Sequence, residues 1–297
     1  MATFNGAAHL GEQLDSLARQ THPAWSLWVS DDGSTDATRA ILQDFAARHP
    51  AHPLTLVEGP RTGRASDNFL TALCHPDLPA AHVALCDQDD VWLRGKLARA
   101  LRRLGDDPAP AIYAAESVLT DADLRPHRIS AEPHARPGFA SALVQNLFGG
   151  HSLVLNPAAL ALVRAAGAPA GLPFHDWWIY LLVAGAGGRL VLDPAPMVLY
   201  RQHGGNHIGA LGGLGGALRK VRAVLGPGHA RWVRANLAAL RAVAPLLTPE
   251  ARALLDRLDG PPQRGPDRAR LLRDLGVTRP SAAGAAAVTL AALLGRI

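Results

Sequence analysis

At 297 residues, 48% hydrophobic and 19% charged, the chain has the composition of a folded protein and is long enough for one large α/β core plus an appendage. Two cysteines, Cys74 and Cys86, lie in separate predicted elements without a CxxC spacing, which excludes a disulfide framework and assigns both to packing in a reducing compartment. The net charge of +5 is uneven: residues 1–210 hold 16 Lys and Arg against 20 Asp and Glu, residues 211–297 hold 14 against 5.

The opening residues, MATFNGAAHLGEQL, have neither a basic n-region nor an apolar h-region, and no run of 18 apolar residues occurs. The expected location is therefore the cytoplasm. Leu10, Leu14 and Leu17 share one face of a first helix, residues 25–30 form a strand, and residues 36–48 form a second helix capped by Ser34 or Asp36. A strand over 54–57, a helix over 66–73, a strand over 82–86, a helix over 95–104 and an extended segment over 111–115 follow. This alternation predicts an α/β fold around a mostly parallel, mixed sheet. The Gly-rich stretch GALGGLGGA then breaks the pattern, placing a boundary near residue 212 between a body of residues 1–211 and a basic helical region of residues 212–297. Within that region helices are expected over 217–225, 231–247 and 249–258. A last apolar segment, 282–294, is too short to cross a bilayer and is either docked or interfacial.

Chemistry gathers where strands end, because ligands of open α/β sheets bind at the carboxyl edge. The strand over 82–86 runs into CDQDDVWL, which presents Asp87 and Asp89 as an Asp-x-Asp pair on a tight turn. Hard oxygen ligands suit Mg²⁺ or Mn²⁺, which need only one or two carboxylates when a diphosphate completes the shell; a solvated acidic turn is the alternative. The strand over 25–30 runs into SDDGSTD. Turn and capping chemistry explains Gly33 through Asp36 without any function, but leaves Asp31 and Asp32, two adjacent carboxylates able to accept from a base or ribose. Both clusters are expected to face one crevice.

TFNG, SDDGSTD, CDQDDVW, HDWW and YRQH, in that order, resemble the family 2 inverting glycosyltransferases, especially a rhamnosyltransferase-like branch, over about residues 1–210. The resemblance implies a GT-A fold (the nucleotide-diphospho-sugar transferase fold) with the C-terminal helices as an appendage. It also implies a nucleoside-diphosphate sugar donor contacted by Asp31 and Asp32 with Thr3 and Asn5 nearby, and by Gly63, Arg64 and Asn68 of GRASDNF. Asp87 and Asp89 would hold the metal, Mg²⁺ or Mn²⁺, against the donor diphosphate. Asp176 in HDWW would be the catalytic base, with a helix N-cap as the alternative reading. In YRQH, His203 would be a third metal ligand and Arg201 a diphosphate contact, a loop histidine being the alternative for the former.

Displacing a nucleoside diphosphate from an anomeric carbon needs charge neutralised on the leaving group and a base on the attacking hydroxyl, so metal ligands and base are separate residues. One base opposite the leaving group gives a single displacement and inversion. dTDP-rhamnose as donor, with a cell-surface glycan or its lipid-linked precursor as acceptor, is implied by the resemblance alone. The basic C-terminal region fits peripheral contact with an anionic membrane at the inner face, although solvated helix arginines explain the same charges; nucleic acid is not an expected partner. A sugar-phosphate nucleotidyltransferase is the rival enzyme, but MATFNGAAHL lacks its glycine-rich phosphate loop. A catalytically impaired binding subunit would have lost one of the three acid groups, and all three are present. The family's full first strand has no counterpart before Thr3, so the first strand is expected to be truncated.

Overall fold

A computed structural model describes residues 1–130, 136–202, 225–260 and 265–297. Three parallel strands form the first sheet in the order β1 (Ala2–Thr3), β2 (Leu27–Asp31), β3 (Leu54–Glu58). The connections between them are helices, as parallel pairing requires: α1 (Leu10–Ala18) follows β1, and α2 (Thr38–Arg48) follows β2. Leu10, Leu14 and Leu17 of α1 and Leu42 and Phe45 of α2 bury with Leu27 and Val29 of β2 in one cluster. Helix α3 (Ala65–Leu73) covers the other face, carrying Phe69, Leu70 and Leu73 into the main core. Neither Ser34 nor Asp36 caps α2. The helix starts at Thr38, whose N–H goes to Asp36 Oδ1 at 3.0 Å, while the Ser34 hydroxyl is occupied by Asn5 and Asp31.

The second sheet runs β4 (Val83–Ala84), β8 (Val154–Leu155), β6 (Ala111–Thr120), β9 (Arg189–Arg201), β5 (Val91–Trp92), with β7 (Pro126–Ile129) paired to β6. Its longest pairing, β6 with β9, is parallel, from Ala111 opposite Arg189 to Thr120 opposite Arg201. The register slips between Ala115 and Ser117, opposite Pro194 and Pro196, which have no N–H for the ladder. The short strands pair antiparallel, so the fold is α/β with parallel and mixed sheets. Strand β1 pairs with β2 only at Ser30 and Asp31. Beside the first half of β2, between it and β4, lies an apolar cavity of about 590 Å³ lined by Leu27, Trp28, Val83, Ala84, Cys86 and Trp92.

Helix α4 (Lys96–Leu104) packs on β6 and β9, and a short α5 (Phe139–Ala142) packs on α7. Asn156 caps α6 (Pro157–Ala166) by accepting the Ala159 N–H at 2.8 Å. Helix α7 (His175–Gly185) is buried almost all round and forms the spine of the main core. Helix α8 (Pro227–Ala242) packs against it, and α9 (Pro249–Leu258), α10 (Pro266–Asp274) and α11 (Ala282–Leu293) join the same cluster, in which Val233, Leu240, Leu255, Leu272 and Val288 share the core with Trp178 and Leu182. The C-terminal helices are therefore continuous with the body through one apolar cluster. The boundary near 212 and residues 217–224 of the first expected helix lie outside the described residues. Among the described residues no helix is long and apolar enough to cross a membrane.

Candidate active site

The carboxyl ends of β1, β2 and β3 and the turn after β4 assemble around the SDDGSTD segment. Asp31, fully buried, accepts from the Thr3 hydroxyl at 2.9 Å, from Ser34 and from Arg39 Nε at 2.7 Å. Burial alone would raise the Asp31 carboxyl, and the hydrogen bonds from Ser34, Arg39 and Thr3 outweigh it and hold the group below the ordinary carboxylate value. Asp32 instead accepts two backbone N–H groups, from Arg61 at 2.6 Å and Gly63 at 2.7 Å. Arg61 and Gly63 both have positive φ, 58° and 68°, so Asp32 holds the loop at its two left-handed positions, of which the one at Arg61 is unfavourable for a residue with a side chain. Asn5, at φ 47°, accepts from the Thr35 N–H, and Asn68 donates to the Thr3 carbonyl at 3.2 Å.

Arg64 and Ser66 extend this loop across the crevice: Arg64 donates to the Leu172 carbonyl and Ser66 to that of Pro173, 3.0 Å away. Those carbonyls lie just before α7, so the GRASDNF loop is fastened to the helix that carries Asp176. In the first turn of α7, Asp176 Oδ1 accepts its neighbour's N–H from Trp177 at 2.7 Å, and Oδ2 accepts the Gly150 N–H at 2.8 Å. The cap residue of α7 is Phe174, and Asp176 makes no N-cap bond. Gly150 is required there, since a Cβ on it would stand 2.8 Å from His175 Nε2. Trp177 and Trp178 are buried, the Trp177 ring donating to the Ala142 carbonyl at 2.6 Å, which makes both core residues.

The acidic turn faces Asp176. Burial, then the charges of Asp89 and Asp176, raise the Asp87 carboxyl to about 7. Asp90, fully buried, is raised by burial and by Asp87 and Asp89; it accepts the Arg201 N–H at 3.1 Å through Oδ1, and its Oδ2 has no hydrogen-bond partner among the described residues. Arg201 is buried beneath the turn, donating to the Asp89 carbonyl at 2.8 Å and pairing with Glu12. His203 lies outside the described residues.

Three residues that sequence reading did not single out support this turn. Gln88 acts as a substitute strand, accepting from the Phe4 N–H at 2.9 Å and donating to the Phe4 carbonyl at 3.1 Å. Gly6 leaves it room, because a Cβ there would meet Gln88 Oε1 at 2.3 Å. Lys96 is fully buried with its ammonium 3.5 Å from the centre of the Trp92 ring, and burial lowers it to about 7. The signal available for Lys96 was its rarity as one of two lysines; nothing in its spacing revealed that it lies under the acids.

Among the described residues no cluster of three or more His, Cys, Asp or Glu is arranged to hold a metal by itself. The donor set nevertheless fits a hard cation: carboxylates crowded on one turn, one raised by burial and then by its neighbours' charge and one with an orphaned buried oxygen, are what a divalent cation would neutralise.

The glycosyl transferase family 2 model matches residues 1–161. A dTDP-rhamnosyl transferase, RfbG of Shigella flexneri, is 27% identical over 216 residues, 71% of this chain and 74% of that protein. Among solved structures, the Pyrobaculum calidifontis mannosyltransferase PcManGT, in complex with GDP-Man and Mn²⁺, is similar at a TM-score of 0.54 and 20% identity over 99% of this chain and 84% of its own. Staphylococcus aureus TarS with UDP-GlcNAc is similar at a TM-score of 0.53 and 15% identity over 86% and 84%. These likenesses identify the fold as GT-A, and with the family model spanning more than half of its residues, the chain belongs to glycosyl transferase family 2.

Proposed function

We propose that the chain transfers a sugar, rhamnose by preference, from a nucleoside-diphosphate donor to a glycan or lipid-linked glycan hydroxyl, with inversion, at the cytoplasmic face of the membrane and in the assembly of cell-surface polysaccharide. The observation that carries the reading is that the loop clamped by Asp32 is tied through Arg64 and Ser66 to the Leu172 and Pro173 carbonyls just ahead of Asp176, which brings the SDDGSTD segment and the first turn of α7 together. Two groups of acids on separate elements meet at one crevice, as leaving-group and acceptor chemistry require. Residues 1–211 are read as the catalytic part and residues 212–297 as a basic helical region.

In this reading Asp87 and Asp89 would hold Mg²⁺ or Mn²⁺. The metal, when bound, supplies positive charge to the leaving diphosphate. Asp176 takes the proton of the acceptor hydroxyl, and the Gly150 N–H fixes its carboxylate while the other oxygen is braced by Trp177. Thr3, Asn5, Asp31 and Asp32 border the nucleoside. Asp31 orders the loop over 31–39 through Ser34 and Arg39, and Asp32 orders the 61–64 loop, so that Gly63, Arg64 and Asn68 form the donor's rim. Arg201 acts from below, tying the Asp89 carbonyl in place. The name of the Shigella relative, a dTDP-rhamnosyl transferase, supports the donor preference.

A donor screen with Mn²⁺ tests the proposal: released nucleoside diphosphate is measured across UDP-, GDP- and dTDP-sugars with rhamnan-type acceptor glycans. Release with dTDP-rhamnose above the other donors is expected. Absence of release from every donor would sink the reading, and release from another donor alone would remove rhamnose from it.

A further inference from the structure

Helix α11 has an exposed face that no packing among the described residues explains. Its sequence, AAGAAAVTLAAL, contains no charged residue, and its one hydroxyl, Thr289, is turned back onto the Ala285 carbonyl at 3.0 Å. Ala287, Val288, Ala291 and Ala292 are buried and dock the helix on the body. The opposite stripe, Ala286, Leu290, Leu293 and the following Leu294, has the i, i+4, i+7, i+8 spacing of a single helical face and is exposed, with Leu290 at 41%, Leu293 at 43% and Leu294 at 55%. Those three are among five exposed large hydrophobics in the described residues, the others being Phe4 and Ile129.

Three classes of cover are possible, and charge and composition choose between them. A second copy would need roughly 800 Å² per partner for a stable interface, far more than three leucine faces offer. It would also bring like charges together, because residues 225–260 and 265–297 hold ten Arg against five Asp and Glu. A protein partner is captured by aromatic, Met and Arg anchors, and the stripe has no aromatic or Met. An anionic lipid surface needs only shallow apolar insertion and a cationic surround. Arg296, exposed just beyond the stripe, and the exposed Arg231, Arg234, Arg252, Arg257, Arg270 and Arg273 of the same region supply the charge. At 12 residues, roughly 18 Å by the helical rise, α11 can lie in the interface but cannot span it.

We propose that the Leu290, Leu293 and Leu294 face of α11 inserts into the headgroup layer of an anionic phospholipid membrane, with the C-terminal arginines supplying the electrostatic attraction. The surface is separate from the transfer site, so it stands or falls independently of the sugar-transfer reading.

The test is co-sedimentation of the full chain with vesicles of phosphatidylglycerol and phosphatidylethanolamine, and with vesicles of phosphatidylcholine alone. Binding to the first and not the second is expected, weakening as salt shortens the screening length. Leu290→Glu/Leu293→Glu should lower the bound fraction by about tenfold or more while leaving the melting temperature unchanged, since both side chains are already exposed in the fold. Donor turnover with a soluble acceptor, measured on the same samples, should be equal in the two proteins. Failure of the wild type to bind anionic vesicles, or equal binding by the double variant, would overturn the proposal. So would a wild-type dimer in solution that the double variant breaks, which would assign the stripe to a second copy.

Discussion

Asp176 accepts Gly150 through one oxygen and Trp177 through the other, so its carboxylate is positioned without a charged partner. Asp176→Asn keeps one of those acceptors and the shape of the side chain but cannot take up a proton at neutral pH. If Asp176 is the base, kcat falls by about 10² to 10⁴ while donor KM and melting temperature stay near wild type. If Asp176 only organises the first turn of α7, stability drops and kcat is spared. The same residue scale separates two neighbouring acids that the sequence presents as equivalent. Asp31 is filled by side chains, Thr3, Ser34 and Arg39, whereas Asp32 is filled by the backbone N–H groups of Arg61 and Gly63. Local spacing placed both at a strand end, but the partners of Asp32 arrive from a loop about thirty residues away, beyond the reach of any periodicity.

Among the elements, those with a polar face to set their period were legible: α1 buries Leu10, Leu14 and Leu17 on one face as expected, and α4 and α9 fall within a residue of their expected positions. Strands β5, β7 and β8, of two to four residues, are too short for alternation to register. Helix α7 escaped for the opposite reason, because burial on nearly every side removes the polar stripe that would mark it. Docking of α8 onto the body turns on His229, which is buried against the Val144 carbonyl at 3.1 Å and meets Arg279 at 3.1 Å. Burial, then the Arg279 charge, lowers His229 from 6.5 to about 4. The folded state therefore keeps this ring neutral where the unfolded chain protonates it. Its contribution is intact above about 6.5 and is lost as pH falls toward 4, at up to about 1.4 kcal/mol per pH unit. His151 and His175 are lowered by burial in the same direction. Comparing melting temperatures of wild type and His229→Gln from pH 7 to pH 4 checks this: the wild type should lose stability more steeply on acidification. Parallel pH profiles would exclude His229 as a source of the acid sensitivity.

Across the whole molecule, the order of motifs along the chain foretold the fold: TFNG, SDDGSTD and YRQH lie at the ends of β1, β2 and β9, HDWW opens helix α7, and CDQDDVW forms the acidic turn after β4. What stayed hidden was the support beneath it. Gln88 bridging to Phe4, Lys96 buried over Trp92 and Arg201 turned inward under Asp89 all depend on contacts made across more than one element. Together they hold a set of carboxylates whose mutual repulsion a divalent cation would relieve, and cation and nucleotide binding should therefore be coupled. Calorimetric titration of nucleoside diphosphate into wild type and Asp89→Ala, each with and without Mn²⁺ and paired with sugar turnover, measures that coupling. The wild type should bind the nucleotide in a Mn²⁺-dependent manner, and Asp89→Ala should lose that dependence and turnover together. Intact turnover in Asp89→Ala would contradict the assignment of the acidic turn as the metal site.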